Sequence, residues 1–148
     1  MEEGIMFGNK VLDVVFVSWF IAQFWKVITS LIKEKKMNFK RFLESGGMPS
    51  SHTSSVTSLV TAVGILNGTN SLEFAISFVF AVIVMYDAAG VRRAAGKQAS
   101  ILNKIANNIW NKEGVKIIEE NLKELIGHTP KEVFVGAILG IGVAFIML

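Results

Sequence analysis

Four apolar runs, separated by segments that carry most of the lysine and arginine, limit what this chain can become. Crossing the hydrocarbon core of a bilayer takes about 20 residues of helix, with a range of roughly 17–25. The runs Val11–Ile32, Ser51–Leu66, Leu72–Val91 and Pro130–Leu148 approach or meet that length. In lipid every backbone N–H and C=O must be paired internally, so such runs fold as helices. A mean hydropathy of +0.49, with only 18% charged residues, agrees with the membrane class. The expected fold class is all-α, an integral membrane helical bundle of about four transmembrane helices with cytoplasmic amphipathic helices. At 148 residues the chain is read as a single membrane-embedded domain, 1–148.

The runs are not uniform. Asp13, Gln23 and Lys26 interrupt the first. The second carries Thr53, Ser54, Ser55, Thr57 and Ser58, too polar to face lipid, and is expected to be buried among its neighbours. The fourth contains Gly136 and Gly140, a small-xxx-small face that lets another helix approach closely. Met1–Lys10 has no basic n-region, and no small-x-small cleavage site follows, so the first run is expected to stay in the mature protein. Between the third and fourth runs, Ile101, Leu102, Ile105, Ile109 and Trp110 recur at helical spacing. Gly114 is expected to break that pattern before a second amphipathic piece, Val115–Ile126.

Charge predicts orientation. Lys33, Lys35, Lys36, Lys40 and Arg41 follow the first run, and Arg92, Arg93, Lys97, Lys104, Lys112, Lys116 and Lys123 follow the third. The Asn67–Asn70 turn has no lysine or arginine. Basic loops stay in the cytoplasm, so both basic segments should face inward and both chain ends outward, in the cell (inner or plasma) membrane. The net charge of +3 is therefore read as a report of topology, and no nucleic-acid partner is expected. Without cysteine there is no disulfide, thiolate nucleophile or Cys-based metal site. Two histidines make a His-rich metal site in one subunit a poor expectation, so no metal and no cofactor are predicted.

Three polar clusters fall at inner helix ends. Gly46-Gly47-Met48-Pro49-Ser50-Ser51-His52-Thr53 leads directly into a helix, whose start presents backbone N–H groups and a positive dipole end to an anion. A simple cap by Ser50 or Ser51 is the alternative, and it leaves His52 unexplained. Tyr86 to Gln98 holds Asp87, Arg92, Arg93 and Lys97 at the inner end of the third run. Arginine forks suit phosphate oxygens, although headgroup anchoring would also explain them. A carboxylate inside an apolar helix usually has a partner, and either arginine could serve Asp87. Thr129, Pro130 and Glu132 fit a capping box, which leaves His128 unexplained. Both histidines thus fall on one face with a cationic site. This suits phosphoryl transfer, with one imidazole attacking phosphorus and the other protonating the leaving oxygen.

These residues resemble the type 2 phosphatidic acid phosphatase and vanadium-dependent haloperoxidase superfamily, in its small divergent branch. The superfamily reads K-x6-R-P, then P-S-G-H, then S-R-x5-H-x3-D. Pro49-Ser50-Ser51-His52 looks like the second motif, and His128-x3-Glu132 looks like the end of the third. The runs Gly46–His52 and Tyr86–Arg93 look like the divergent branch itself, and the resemblance spans roughly residues 38 to 142. It implies a phosphohistidine on His128, with Glu132 orienting it and His52 as general acid. It implies phosphate binding by Ser50, Ser51 and Arg92 or Arg93, with Lys97, Lys40 and Arg41 as further cations and Asp87 in support. The implied substrate is a lipid phosphate monoester at the cytoplasmic face, phosphatidylglycerophosphate being one that fits. Vanadate is expected as a phosphate-mimicking inhibitor. Four spans make a minimal version of the family bundle, which a homodimer would complete.

The sequence departs from the pattern in three ways. No K-x6-R-P occurs, serine and glutamate stand for glycine and aspartate, and the arginines lie far ahead of His128. These departures motivate the alternative, a non-catalytic protein that binds or moves anionic headgroups or phosphate. A haloperoxidase activity is disfavoured, because the haloperoxidases of the superfamily are large and soluble.

Overall fold

The computed structural model describes residues 4–34, 47–113 and 127–148. Among these described residues five helices follow in order: α1 (Lys10–Glu34), α2 (Ser51–Asn67), α3 (Leu72–Ala89), α4 (Val91–Glu113) and α5 (Pro130–Met147). No strand occurs among the described residues. Local chemistry sets their starts. The Asn9 side chain accepts from Val11 and Leu12 N–H, and Ser50, Ser71 and Thr129 cap α2, α3 and α5. Between α2 and α3, Gly68 adopts φ 82°, a left-handed conformation open to glycine, and the chain reverses within a few residues. Consecutive helices joined so tightly must run antiparallel.

Helix α2 is the centre of the bundle and packs against α1, α3 and α5. It is also the shortest, at 17 residues. Among the described residues, the apolar runs of α1, of α3 continuing into α4, and of α5 are long and apolar enough to cross a membrane. The fourth expected span, α2, is thus a short polar helix enclosed by the others. Its serines and threonines are buried without loss because each hydroxyl has a partner. Thr57 Oγ1 donates to Thr53 O at 2.8 Å and Ser58 Oγ to Ser55 O at 2.9 Å. Ser54 and Ser18 of α1 share a hydroxyl–hydroxyl bond of 2.6 Å.

The expected small-residue face of α5 is the contact with α2. A Cβ on Gly136 would lie 2.5 Å from Ser50 O, and one on Gly140 would collide with Thr57 Oγ1 and Ser54 O. Close approach here brings the starts of α2 and α5 together. Large apolar side chains such as Ile76, Phe80, Ile83, Phe134 and Phe145 are exposed instead. A polar centre with an apolar surface is the arrangement a bilayer selects.

Helix α3 ends two residues before the expected limit of the third span, although the apolar run continues into α4. Gly90 interrupts the helix, and α4 starts at Val91. Helix α4 ends at Glu113, next to the expected break at Gly114. The second amphipathic piece, Val115–Ile126, lies outside the described residues.

Candidate active site

His128 stands immediately before the cap of α5. The capping box is complete: Thr129 Oγ1 accepts from Glu132 N–H, and Glu132 Oε2 accepts from Thr129 N–H at 2.9 Å. The same Oε2 lies 3.2 Å from His128 Nδ1. One carboxylate oxygen therefore closes the helix start and holds the imidazole. With Nδ1 turned to Glu132, Nε2 is the ring nitrogen on the side away from that carboxylate. His128 is 2% exposed, and its N–H donates to Ala88 O at 2.9 Å, which fixes it to the inner end of α3.

The start of α2 is pinned to the same place. Ser50 N–H donates to Glu132 O at 3.0 Å. Ser50 itself is fully buried, and its hydroxyl accepts from both the N–H and the Oγ1 of Thr53. Ser50 is thus the cap of α2, the alternative that the sequence also allowed for it. Two residues on, His52 sets its ring 5.9 Å from that of His128, centroid to centroid, at an interplanar angle of 61°. The two imidazoles thus pack edge to face where the starts of α2 and α5 meet.

Sequence reasoning passed over the third participant. Lys26 of α1, noted only as an interruption of an apolar run, is 3% exposed and donates from Nζ to Ser51 Oγ at 3.0 Å. Its stem passes Gly47, and its charge lies close enough to Glu132 for the two to attract. A lysine near the end of a membrane helix usually snorkels to the surface. This one turns inward, which signals function more often than anchoring. A cation and two helix starts thus converge on the space beside the imidazoles, a setting that favours an oxyanion.

The other expected phosphate ligands fare differently. Arg93 and Lys97 are exposed on α4, beyond the Gly90 break. The Arg92 side chain, Lys40 and Arg41 lie outside the described residues. Asp87 is half-buried, one residue before the carbonyl that holds His128. The described residues contain no group of three or more His, Cys, Asp or Glu that could hold a metal ion.

A protein of Bacillus subtilis (strain 168), described as "Uncharacterized membrane protein YuiD", is 44% identical over 81% of this chain and 82% of its own length. No solved structure matches the fold. The model of the Divergent PAP2 family matches residues 7–143, which takes in α1 with Lys26, both histidines and nearly all of α5, and the chain belongs to that family.

Proposed function

We propose that the protein is a membrane phosphatase that hydrolyses a lipid phosphate monoester through a phosphohistidine on His128. The observation that carries this reading is the pair of imidazoles at 5.9 Å, one of them held by Glu132. His128 Nε2 attacks phosphorus, and the P–O bond to the lipid alcohol breaks. Protonated His52 gives its proton to the departing oxygen, releasing the alcohol. Neutral His52 then takes a proton from water as that water attacks phosphorus, the P–N bond breaks, and inorganic phosphate leaves. Lys26, Ser51 and the starts of α2 and α5 stabilise the charge on the transferring oxygens. Glu132 stabilises the positive charge on the His128 ring. These groups supply the charge that a metal ion supplies in other phosphatases.

The site is read as cytoplasmic, because α1 ends and α4 begins there and the sequence that follows α1 and that of α4 are rich in lysine and arginine. An inner-leaflet lipid phosphate such as phosphatidylglycerophosphate is a fitting substrate. The test is phosphate release from lipid phosphates in detergent by wild type, His128→Ala and His52→Ala. Loss of release in both variants supports the reading, and equal rates in all three sink it. The exposure of Arg93 and Lys97 favours a second reading, a headgroup-binding protein without catalysis. Vanadate binding indifferent to both histidines would support that one.

A further inference from the structure

Gln23 lies within the membrane span of α1 and is 6% exposed. A polar side chain closed into a membrane bundle points to function more often than to packing. Its Oε1 is buried with no hydrogen-bond partner among the described residues. A buried acceptor in that state is costly, and folded proteins keep few of them. The hydroxyls nearby are in a different condition. Ser18 and Ser54 bond each other at 2.6 Å, and Ser55 Oγ donates to Ser51 O at 2.9 Å.

The register of α1 on α2 puts this acceptor beside the phosphate site. Ser18 meets Ser54, and farther along α1 Lys26 meets Ser51, so the two helices run antiparallel. Three residues of α2 rise about 4.5 Å, which makes Ser51 level with Ile21 of α1. Lys26 starts about 7.5 Å beyond that level, yet its Nζ reaches Ser51 Oγ at 3.0 Å. The lysine side chain therefore runs back along its own helix, past the level of Gln23. Residues three apart are neighbours on a helix surface, with Cβ atoms about 5–6 Å apart. The carboxamide thus flanks the lysine stem, in the same closed layer as Ser51, which is 3% exposed.

An acceptor is a poor neighbour for an anion. Phosphate oxygens and Oε1 repel, and only a hydrogen between ligand and Oε1 makes the contact favourable. A hydroxyl on the substrate supplies that hydrogen. The closeness of Gln23 to Lys26 puts the hydroxyl on the carbon next to the one that carries the phosphate ester. We propose that Gln23 Oε1 accepts a hydrogen bond from this hydroxyl, so that the protein prefers a phosphorylated polyol headgroup to a phosphate on diacylglycerol, which has no donor to offer. That preference rests on the phosphatase reading only where hydrolysis is measured; binding tests it without catalysis.

The test uses the full chain in phosphatidylcholine nanodiscs and two probes of equal chain length, hexadecyl phosphate and 2-hydroxyhexadecyl phosphate. Affinity is read by displacement of vanadate, and hydrolysis by phosphate release. The wild type should favour the hydroxylated probe about tenfold, in Kd and in kcat/KM. Gln23→Met, close in shape, should bring both ratios to within about twofold of unity, chiefly by weakening the hydroxylated probe. Its Tm without ligand should not fall, because Oε1 has no bond to lose. Equal affinity of the wild type for the two probes, or a preference that survives in Gln23→Met, overturns the proposal. A binding preference that Gln23→Met abolishes, in a protein that releases no phosphate, retains the role of Gln23 and rejects the catalytic reading.

Discussion

Replacing Glu132 separates its two duties. Its Oε2 accepts from Thr129 N–H at 2.9 Å and lies 3.2 Å from His128 Nδ1, so one atom serves both stability and chemistry. Glutamine also completes a capping box, and Glu132→Gln should keep the helix start. Its carboxamide, however, carries no charge to stabilise an imidazolium and can present the wrong group to Nδ1. In the serine-protease triad the equivalent carboxylate-to-carboxamide change lowers kcat by about 10⁴. A carboxylate that is partly exposed, at 21%, should matter less, so a loss of about 10²–10⁴ is expected. Glu132→Ala should lose similar activity and, in addition, about 1 kcal/mol of stability from the cap, or about 4 °C in Tm. The assay is phosphate release beside thermal unfolding for both variants. Wild-type kcat in Glu132→Gln would refute the reasoning, because it would reduce Glu132 to a cap.

Gly140→Val should cost about 1–3 kcal/mol, because a side chain there forces α2 and α5 apart; an unchanged Tm would contradict the packing. Lys26→Met should fold and lose at least tenfold in vanadate affinity by direct titration, since the hydroxyl of Ser51 loses its cationic partner. Ser50→Ala should lower stability by about 1 kcal/mol through the lost cap. It should leave kcat within a few-fold, which thermal unfolding and phosphate release measure together.

The bundle was legible because lipid leaves a chain few choices. Apolar runs of bilayer length could only be helices, and the hydroxyl-rich run could only be enclosed by the others. Gly136 and Gly140 declared a close contact, although their spacing could not say with which helix. Around the site, Thr129, Pro130 and Glu132 read as a cap and His128 as chemistry. The two readings are one, because a single oxygen serves both, and no linear pattern distinguishes a shared atom from a choice. Lys26 was hidden for a different reason. A lysine in the last turns of a membrane helix has two available directions, and only the serine it meets on α2 reveals which it takes. The break before α4 was not legible, because Gly90 is a small residue in a small-residue run. Its interruption of the helix puts Arg93 and Lys97 on α4, where they are exposed.

The chain holds two histidines, so imidazole ¹⁵N spectra contain two ring systems and no others to confuse them. Orthovanadate, added to the wild-type protein in nanodiscs, should move the signals of both His52 and His128 along one titration curve with one Kd. A shift confined to one ring, or two curves with separate Kd values, would mean that the imidazoles do not share an oxyanion.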